Sequence, residues 1–396
     1  MSNKNKKLNK TSLGRRKLLK SLATVPVFGV FLIALWQKMR MDALKKSNVL
    51  SNLIQEKTAP AAISDLSNTK HLNLGIIGYG GRGHHLIRGV GFATPDWTEK
   101  AGENARKNKL DKALVTFMSQ QDLNCSIVGV CDLFDVRAEE GIQASKNEIR
   151  PGSKSIQTAT RYRHYKELLA NDEIDAVIIA TPDHWHARIA IDAAKAGKHV
   201  YCEKGLTRTF DEAIKVYDTI KETGIVFQLG HQNRQVEANE KAKQIIDQGL
   251  LGPINLVELT TNRNSPWGAW VWDIHPEGNA RTIDWDTFQE PAPNKIPFGE
   301  EALKRFFRWR MWFDYGTGLS GDLFSHDFDA LNQIMELGIP KYASSTGGIY
   351  FYKDGRDVPD VWHATLEYPE KDLTVLYSAT LSSNNARGNR IMGHDA

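Results

Sequence analysis

Gly78–Gly83, with the sequence GYGGRG, decides the fold of this 396-residue chain. It directly follows Leu74–Ile77, an apolar run typical of a buried strand, and it opens a helical stretch. In that context the GxGxxG pattern places Gly78 in a tight turn, Gly80 where the backbone approaches a pyrophosphate, and Gly83 against the strand. The helix N-terminus then faces the phosphates. The pattern predicts a dinucleotide site, and a glycine turn without a ligand is the alternative.

The acidic partner of this turn is Asp132, which ends a second apolar run, Ile127–Cys131. A carboxylate there hydrogen-bonds the ribose 2′-hydroxyl and repels a 2′-phosphate, so the sequence predicts NAD rather than NADP. The distance from the turn to Asp132 exceeds the usual spacing of about 20 residues, and we interpret the polar stretch 92–124 as an insertion. Gly81 and Arg82 complete the phosphate-facing turn, where Arg82 can add a charge-assisted contact.

Short apolar runs alternate with helical stretches from His71 to about Asn233. Runs rich in Val and Ile without alternation indicate strands buried on both faces, and hence a parallel sheet of βαβ units. The strand candidates are 74–77, 127–131, 176–180, 199–202 and 225–229, and the helix candidates are 165–170, 187–196 and 211–223. We therefore predict a doubly wound Rossmann domain over residues 71–233.

The pattern changes after Asn233. A helix is predicted over 237–249, a strand over 254–261, a helix from about Asp322, and strand-like segments over 347–352, 361–367, 373–379 and 389–392. This order predicts an α+β domain with a mostly antiparallel sheet over residues 234–396. The fold class is thus α/β followed by α+β, and a composition of 41% hydrophobic and 25% charged residues is that of a folded protein.

The basic residues are concentrated at the N-terminus. Residues 1–46 carry twelve Lys and Arg against one Asp, a charge of +11, whereas the whole chain carries only +4. The remainder is mildly acidic, which argues against nucleic acid as a partner. Residues 21–36 are uncharged, fall short of a membrane span of about 20 residues, and match the hydrophobic region of a signal peptide.

Residues 14–20, GRRKLLK, precede this region and resemble the twin-arginine export signal, with a basic anchor as the alternative. We expect a leader over 1–41, followed by a linker over 42–70. The twin-arginine export machinery is then a partner, and the protein is exported to the periplasm or to the outer face of the cytoplasmic membrane. Its only membrane contact is the leader, either cleaved or retained as an anchor through residues 21–36.

Cysteine and histidine spacing gives no sign of a metal site. Cys125, Cys131 and Cys202 form no CxxC pair, which excludes a disulfide framework and predicts buried thiols. His184 and His186 form an HxH pair without a third ligand of suitable spacing. We therefore expect no metal.

Three further motifs follow the glycine turn in order. They are Ala180–His186 (ATPDHWH), Ala196–Lys204 (AGKHVYCEK) and Asp314–His326 (DYGTGLSGDLFSH). Together the four motifs resemble the Gfo/Idh/MocA oxidoreductases over residues 72–396. Two features depart from the family: Gly205 stands where proline is usual, and the chain stops earlier than most members.

The resemblance implies hydride transfer between NAD and a secondary hydroxyl, with Lys204 polarising the hydroxyl oxygen and His326 as its acid/base. Asp322 and His326 are four residues apart, hence on one face of a helix, where Asp322 can orient the imidazole. From the residues alone, this pair could equally be a metal half-site or a structural hydrogen bond. The cofactor-binding residues implied by the resemblance are Thr181, Pro182, His184, His186, Glu203, Lys204 and His231. A core histidine is the alternative for His231.

Residues 267–313 hold six of the ten tryptophans, with Arg308 and Arg310. Aromatic faces beside hydrogen-bonding groups suit a sugar ring, and an aromatic core is the alternative. We predict an exported NAD(P)-dependent oxidoreductase acting on a sugar, cyclitol or glycoside. A redox-neutral NAD-dependent glycoside hydrolase and a non-catalytic NAD-binding protein are the other hypotheses.

Export of a folded protein implies an NAD that stays bound and is recycled in place. The arrangement of leader and body resembles glucose–fructose oxidoreductase, in which a second substrate takes the hydride back. The family resemblance further implies a homo-oligomer that pairs through the antiparallel sheet.

Overall fold

The computed structural model describes Met39 and residues 69–147, 158–385 and 387–396. Apart from Met39, the predicted leader lies outside these residues, as does the linker up to residue 68, so the export signal stays a prediction. The fold below belongs to one compact unit, residues 65–396. In this described part, no helix combines the length and apolar character needed to cross a membrane.

The first part of the fold is a parallel sheet, as predicted, with six strands where five were predicted; the strand Thr160–Tyr162 was not predicted. Its strands are β1 (Leu72–Ile77), β2 (Cys125–Cys131), β3 (Thr160–Tyr162), β4 (Ala176–Ile179), β5 (His199–Glu203) and β6 (Phe227–Gly230). In the strand order β3-β2-β1-β4-β5-β6, β2 and β3 lie on one side of β1, and β4, β5 and β6 lie on the other. The direction in which successive strands are added to the sheet therefore changes at β1. Such a switch point opens a crevice at the carboxyl ends of the strands, where ligands of α/β sheets bind.

Seven helices connect these strands in the described residues. They are α1 (Gly81–Gly89), α2 (Pro95–Lys107), α3 (Ala113–Met118), α4 (Asp135–Ser145), α5 (Tyr165–Leu169), α6 (Asp183–Lys195) and α7 (Phe210–Thr223). The stretch 92–124 is a folded insertion, in which α2 packs on α3 through Trp97 and Phe117 with ring centroids 5.3 Å apart. The predicted start of α6 at residue 187 is wrong: Pro182 already takes the extended conformation of an N-cap, so the helix begins at Asp183.

The second part is a five-stranded mixed sheet in the order β11-β7-β10-β9-β8. Its elements are β7 (Ile254–Asn262), β8 (Tyr342–Gly348), β9 (Val361–Tyr368), β10 (Leu373–Thr380), β11 (Arg390–Gly393), α8 (Glu237–Asp247), α9 (Trp285–Phe288), α10 (Glu300–Phe307) and α11 (Ser325–Met335). Only β7 and β10 pair in parallel, so the prediction of a mostly antiparallel sheet is confirmed. Alternate residues of β10 are buried, which places one face of the sheet on the core.

The predicted strand over 347–352 is wrong, because β8 ends at Gly348. The backbone N–H groups of Tyr350, Phe351 and Tyr352 all donate to the carboxylate of Asp360, at 2.9, 2.8 and 2.7 Å. Backbone N–H groups that donate to one carboxylate cannot also donate to a neighbouring strand, so the strand does not continue through these residues.

Candidate active site

A cavity of about 540 Å³ opens at the carboxyl ends of β1, β2, β4 and β5. It is closed on the other side by residues 263–316, which we call the covering segment. The sequence-predicted residues that line it are Gly78, Gly80, Gly81, Arg82, Asp132, Thr181, Pro182, His186, Glu203 and Lys204. The predicted residues outside the lining are Gly83, His184, His231, Asp322 and His326.

The glycine turn has the shape that a pyrophosphate requires. Gly78 has φ +90°, and a Cβ on Gly83 would lie 2.3 Å from the Gly78 carbonyl oxygen, so both positions need glycine. A Cβ on Gly81 would meet no atom within 4 Å, and one on Gly80 would meet only the Arg137 guanidinium, at 3.6 Å. No side chain caps the N-terminus of α1 in the described structure. The space above the turn is therefore open, and free backbone N–H groups face it. Such a site can bind the pyrophosphate of NAD.

Asp132 ties the glycine turn to the turn after β2. Its two carboxylate oxygens accept the backbone N–H groups of Tyr79, at 2.6 Å, and Phe134, at 2.8 Å. Burial raises the pKa of the carboxyl group. Asp132 lies in the cavity wall next to Arg137, a residue that the sequence analysis did not identify. The Arg137 guanidinium lies 5.5–5.8 Å from the ring centroids of three phenylalanines, Phe134, Phe306 and Phe307.

Arg82 forms an ion pair that the sequence analysis did not anticipate. Its Nε donates to the carboxylate of Glu203 at 2.7 Å, and the Tyr201 hydroxyl donates to the same oxygen at 3.1 Å. Arg82, predicted as a phosphate ligand, therefore links the glycine turn to the end of β5. Because an arginine has further N–H donors, this pairing leaves the predicted phosphate contact possible.

Lys204 is fixed by Asp322. Its ammonium group donates to the Asp322 carboxylate at 2.5 Å and to the Asp322 carbonyl at 2.8 Å. Arg310 donates to the same carboxylate oxygen at 2.7 Å. Burial opposes ionisation of Asp322, but the two cations hold its pKa well below the usual range. The side chain of Lys204 thus ends in a cavity, held in place by a buried carboxylate.

The predicted pairing of Asp322 with His326 is wrong. Asp322 lies in a π-helical turn, Ser320–Phe324, that precedes α11. Because hydrogen bonds in a π turn run from residue i to i+5, residues four apart no longer face one another as in an α-helix. The carboxylate points to Lys204 and Arg310 instead. Sequence spacing alone gives no sign of this change of helix type.

His326 lies beside Lys204 and His231, and its ring centroid is 5.7 Å from that of His231. Burial, with the charges of Lys204 and His231, lowers the pKa of His326 to about 4. Its Nδ1 has no hydrogen-bond partner among the described residues. Burial also lowers the pKa of His231, whose Nδ1 is 3.9 Å from the Asp329 carboxylate. His326 is therefore a neutral imidazole at pH 7, able to accept a proton.

The lowered pKa predicts a pH dependence of stability. Between about pH 6.5 and pH 4 the unfolded chain binds a proton at His326 that the folded chain does not, so the free energy of unfolding falls as the pH decreases. We expect His326→Gln to lose less stability than the wild type between pH 7 and pH 5, by about 2 kcal/mol. Urea unfolding at both pH values measures this, and equal losses in the two proteins would contradict the expectation.

The two histidines of the HxH pair have different surroundings. The ring nitrogens of His186 lie close to two carbonyl oxygens, Nδ1 at 3.0 Å from that of Gly205 and Nε2 at 2.7 Å from that of Thr181, so His186 connects the turns after β4 and β5. His184 is fully buried and donates to the Phe288 carbonyl at 2.7 Å, and burial lowers its pKa to about 3. Within the described ranges no three His, Cys, Asp or Glu side chains converge as a metal site.

The six tryptophans of residues 267–313 divide into a buried group and a group that lines the cavity. Trp270, Trp285 and Trp312 are buried in the core, whereas Trp267, Trp272 and Trp309 line the cavity. Between the last two lies Arg310, whose guanidinium carbon is 4.0 Å from the Trp309 ring centroid and 5.2 Å from that of Trp272. These groups form an aromatic, hydrogen-bonding wall next to Lys204.

Residues 72–231 match the family model of the GFO_IDH_MocA oxidoreductases, described as "Oxidoreductase family, NAD-binding Rossmann fold". The match covers 160 of the 396 residues and the first three of the four motifs, so over this stretch the chain is similar to that NAD-binding family. Levoglucosan dehydrogenase of Pseudarthrobacter phenanthrenivorans is 30% identical over 184 residues, or 46% of this chain and 41% of that protein. scyllo-Inositol 2-dehydrogenase (NAD(+)) of Bacillus subtilis is 39% identical over 101 residues, or 25% of this chain and 30% of that protein.

The matched stretch thus spans less than half the length of either curated relative. A solved structure of levoglucosan dehydrogenase in complex with NADH is similar in fold. Its TM-score is 0.54 at 20% identity, over 82% of this chain and 71% of that one. This likeness confirms the predicted succession of a parallel Rossmann sheet and a mixed sheet.

Proposed function

We propose that the protein is an NAD-dependent oxidoreductase that acts on a secondary hydroxyl of a sugar, cyclitol or glycoside. The observation that carries this proposal is that Lys204, held by Asp322, shares one cavity with the open glycine turn. The aromatic wall of the cavity suits a sugar ring. The substrates in the names of two relatives, levoglucosan and scyllo-inositol, are compounds of this class.

NAD, when bound, supplies the group that takes up the hydride. The residues of this chain hold and polarise the substrate. Lys204 donates a hydrogen bond to the reacting oxygen, and Asp322 keeps the ammonium group in place. We assign the hydroxyl proton to His326, which is neutral at pH 7 and lies beside Lys204, outside the cavity lining. Trp272 and Trp309 pack on the apolar faces of the ring.

A second part of the proposal is that NAD stays bound between turnovers. The covering segment is tied to the turn after β2 by two backbone hydrogen bonds, from Asp135 to Thr282 and from Asp284 to Leu133, both 2.9 Å. Between them Phe134, only 1% exposed, enters the core of the second part of the fold. This turn directly follows Asp132, the residue proposed for the adenosine ribose. We propose that release of the nucleotide requires the covering segment to separate from this turn.

A resident cofactor fits the proposed export by the twin-arginine machinery, which carries folded proteins. It also requires a second substrate, a carbonyl compound, to take the hydride back. We further propose, from the family resemblance alone, that the protein forms a homo-oligomer.

The activity is tested by adding levoglucosan or scyllo-inositol to the protein with NAD and recording NADH absorbance. Formation of NADH that depends on the protein supports the proposal. Cleavage of an aryl glycoside without any net change in nicotinamide would favour the redox-neutral glycoside hydrolase instead. Binding of NAD without either reaction, across a panel of sugars and glycosides, would indicate a non-catalytic protein.

A further inference from the structure

The cavity contains a carboxyl group that the proposed mechanism does not use, that of Asp183. This residue is the first of α6, directly after the turn that ends β4, and it is 3% exposed. One of its oxygens accepts the backbone N–H of Thr317 at 3.0 Å and the Thr317 hydroxyl at 2.6 Å. The other oxygen has no hydrogen-bond donor among the described residues, and Asp183 contributes to the cavity wall.

Gly205 makes room for this carboxyl group. A Cβ at position 205 would lie 2.5 Å from the carboxyl carbon of Asp183 and 2.6 Å from its Oδ1. The φ of Gly205 is +75°, which a proline cannot adopt because its ring fixes φ near −65°. The glycine that replaces the expected proline after Lys204 therefore permits a carboxylate to lie next to that lysine.

The strand order places Asp183 on the nicotinamide side of the cavity. Asp132 ends β2, on one side of the central strand β1, and marks the adenosine side. A dinucleotide that crosses the glycine turn extends to the other side, over the ends of β4 and β5. Asp183 follows β4 and Lys204 follows β5, so both lie where the nicotinamide half is expected.

Four charged or titratable groups surround Asp183. They are His186 on its own helix, Lys204 after β5, Asp322 in the π turn and Arg310 in the covering segment. Lys204 and Arg310 both donate to Asp322. Burial raises the pKa of Asp183, and in the described part of the chain this residue forms no salt bridge within 4.0 Å. A cation bound in the cavity would therefore favour the ionised carboxylate.

We propose that Asp183 is the counter-ion of the oxidised nicotinamide ring. The ring of NAD⁺ carries a positive charge that the ring of NADH lacks, so a nearby carboxylate stabilises the oxidised form selectively. The inference rests on the proposed NAD site. Its consequence is a bound cofactor biased toward NAD⁺, the form that is ready to receive a hydride from the substrate.

The test is the ratio of NAD⁺ to NADH bound when the protein is equilibrated with equal concentrations of both. We expect Asp183→Asn, which keeps the shape and an oxygen acceptor for Thr317, to lower this ratio about tenfold. Tenfold corresponds to about 30 mV for a two-electron couple. Asp175→Asn is the matched control, because Asp175 lies just before the start of β4, at the end of the strand opposite to Asp183. The ratio of bound NAD⁺ to NADH in this variant should equal that of the wild type.

An unchanged ratio in folded Asp183→Asn would overturn the inference and leave Asp183 as a structural anchor for Thr317. Gly205→Ala provides a second test, because its Cβ displaces the carboxyl group, and it should also lower the ratio. An unchanged ratio in folded Gly205→Ala would count equally against the inference. If the wild type binds neither nucleotide, the proposed function fails, and the inference fails with it.

Discussion

Replacing Lys204 with methionine should lower the rate of hydride transfer about 10³-fold while NAD binding persists. Lys204 is the cation in the cavity that can donate to the reacting oxygen, and removal of such a group typically costs two to four orders of magnitude. Methionine has a similar length without charge, and Asp322 retains the Arg310 guanidinium as its partner. The rate is measured as NADH formation under saturating substrate, and binding as quenching of protein fluorescence by NADH.

The matched control is Lys198→Met. Lys198 is also buried and lies just before β5, whereas Lys204 lies just after it, and its ammonium group donates to the Asn171 carbonyl at 2.8 Å. This variant should keep the rate within a few fold of the wild type, whatever it does to stability. Wild-type hydride transfer in Lys204→Met would show that the reaction centre lies elsewhere.

Replacing Phe134 with alanine should lower the free energy of unfolding by about 3–5 kcal/mol and accelerate NAD release. The Phe134 ring makes edge contacts with Phe306 and Phe307, at centroid distances of 6.2 and 5.6 Å. Its removal leaves a cavity where the covering segment meets the turn after Asp132. Urea unfolding gives the stability, and NADH fluorescence during dilution gives the release rate.

Val375→Ala is the control that distinguishes a loss of protein stability from a loss of NAD retention. Val375 is fully buried in β10, in the same hydrophobic core but away from the turn after β2. It should lower stability without accelerating release. If Phe134→Ala is destabilised yet retains NAD as long as the wild type, the covering segment does not hold the cofactor.

The parts of the fold that the sequence predicted correctly depend on local patterns. Two positions of the glycine turn need glycine for steric reasons: Gly78 has φ +90°, and a Cβ on Gly83 would lie 2.3 Å from the Gly78 carbonyl oxygen. The buried strands are short continuous apolar runs rich in Val and Ile, a local pattern that predicts strands by its length and composition. Lys204 follows such a run, and its place at the end of β5 could be predicted for the same reason.

The parts that failed depend on distant contacts. Asp322 turns toward Lys204, which is 118 residues earlier in the chain, through a π turn with no local signal. The position of Arg137 in the cavity wall depends on contacts with Phe306 and Phe307, which lie far along the sequence. The segment after β8 leaves the sheet because its backbone N–H groups donate to Asp360, which lies ten residues after Tyr350. In each case the deciding interaction involves a side chain ten or more residues away in the sequence, which spacing patterns do not predict.

We propose that NAD remains in the protein and cycles between its two redox states. The direct measurement is the nicotinamide content of the purified protein after gel filtration, recorded while a sugar and then a carbonyl compound are added. We expect about one NAD per chain, reduced by the sugar and reoxidised by the second compound without release. Protein that binds NAD but loses it during gel filtration, or whose bound NAD no sugar or cyclitol reduces, would contradict it.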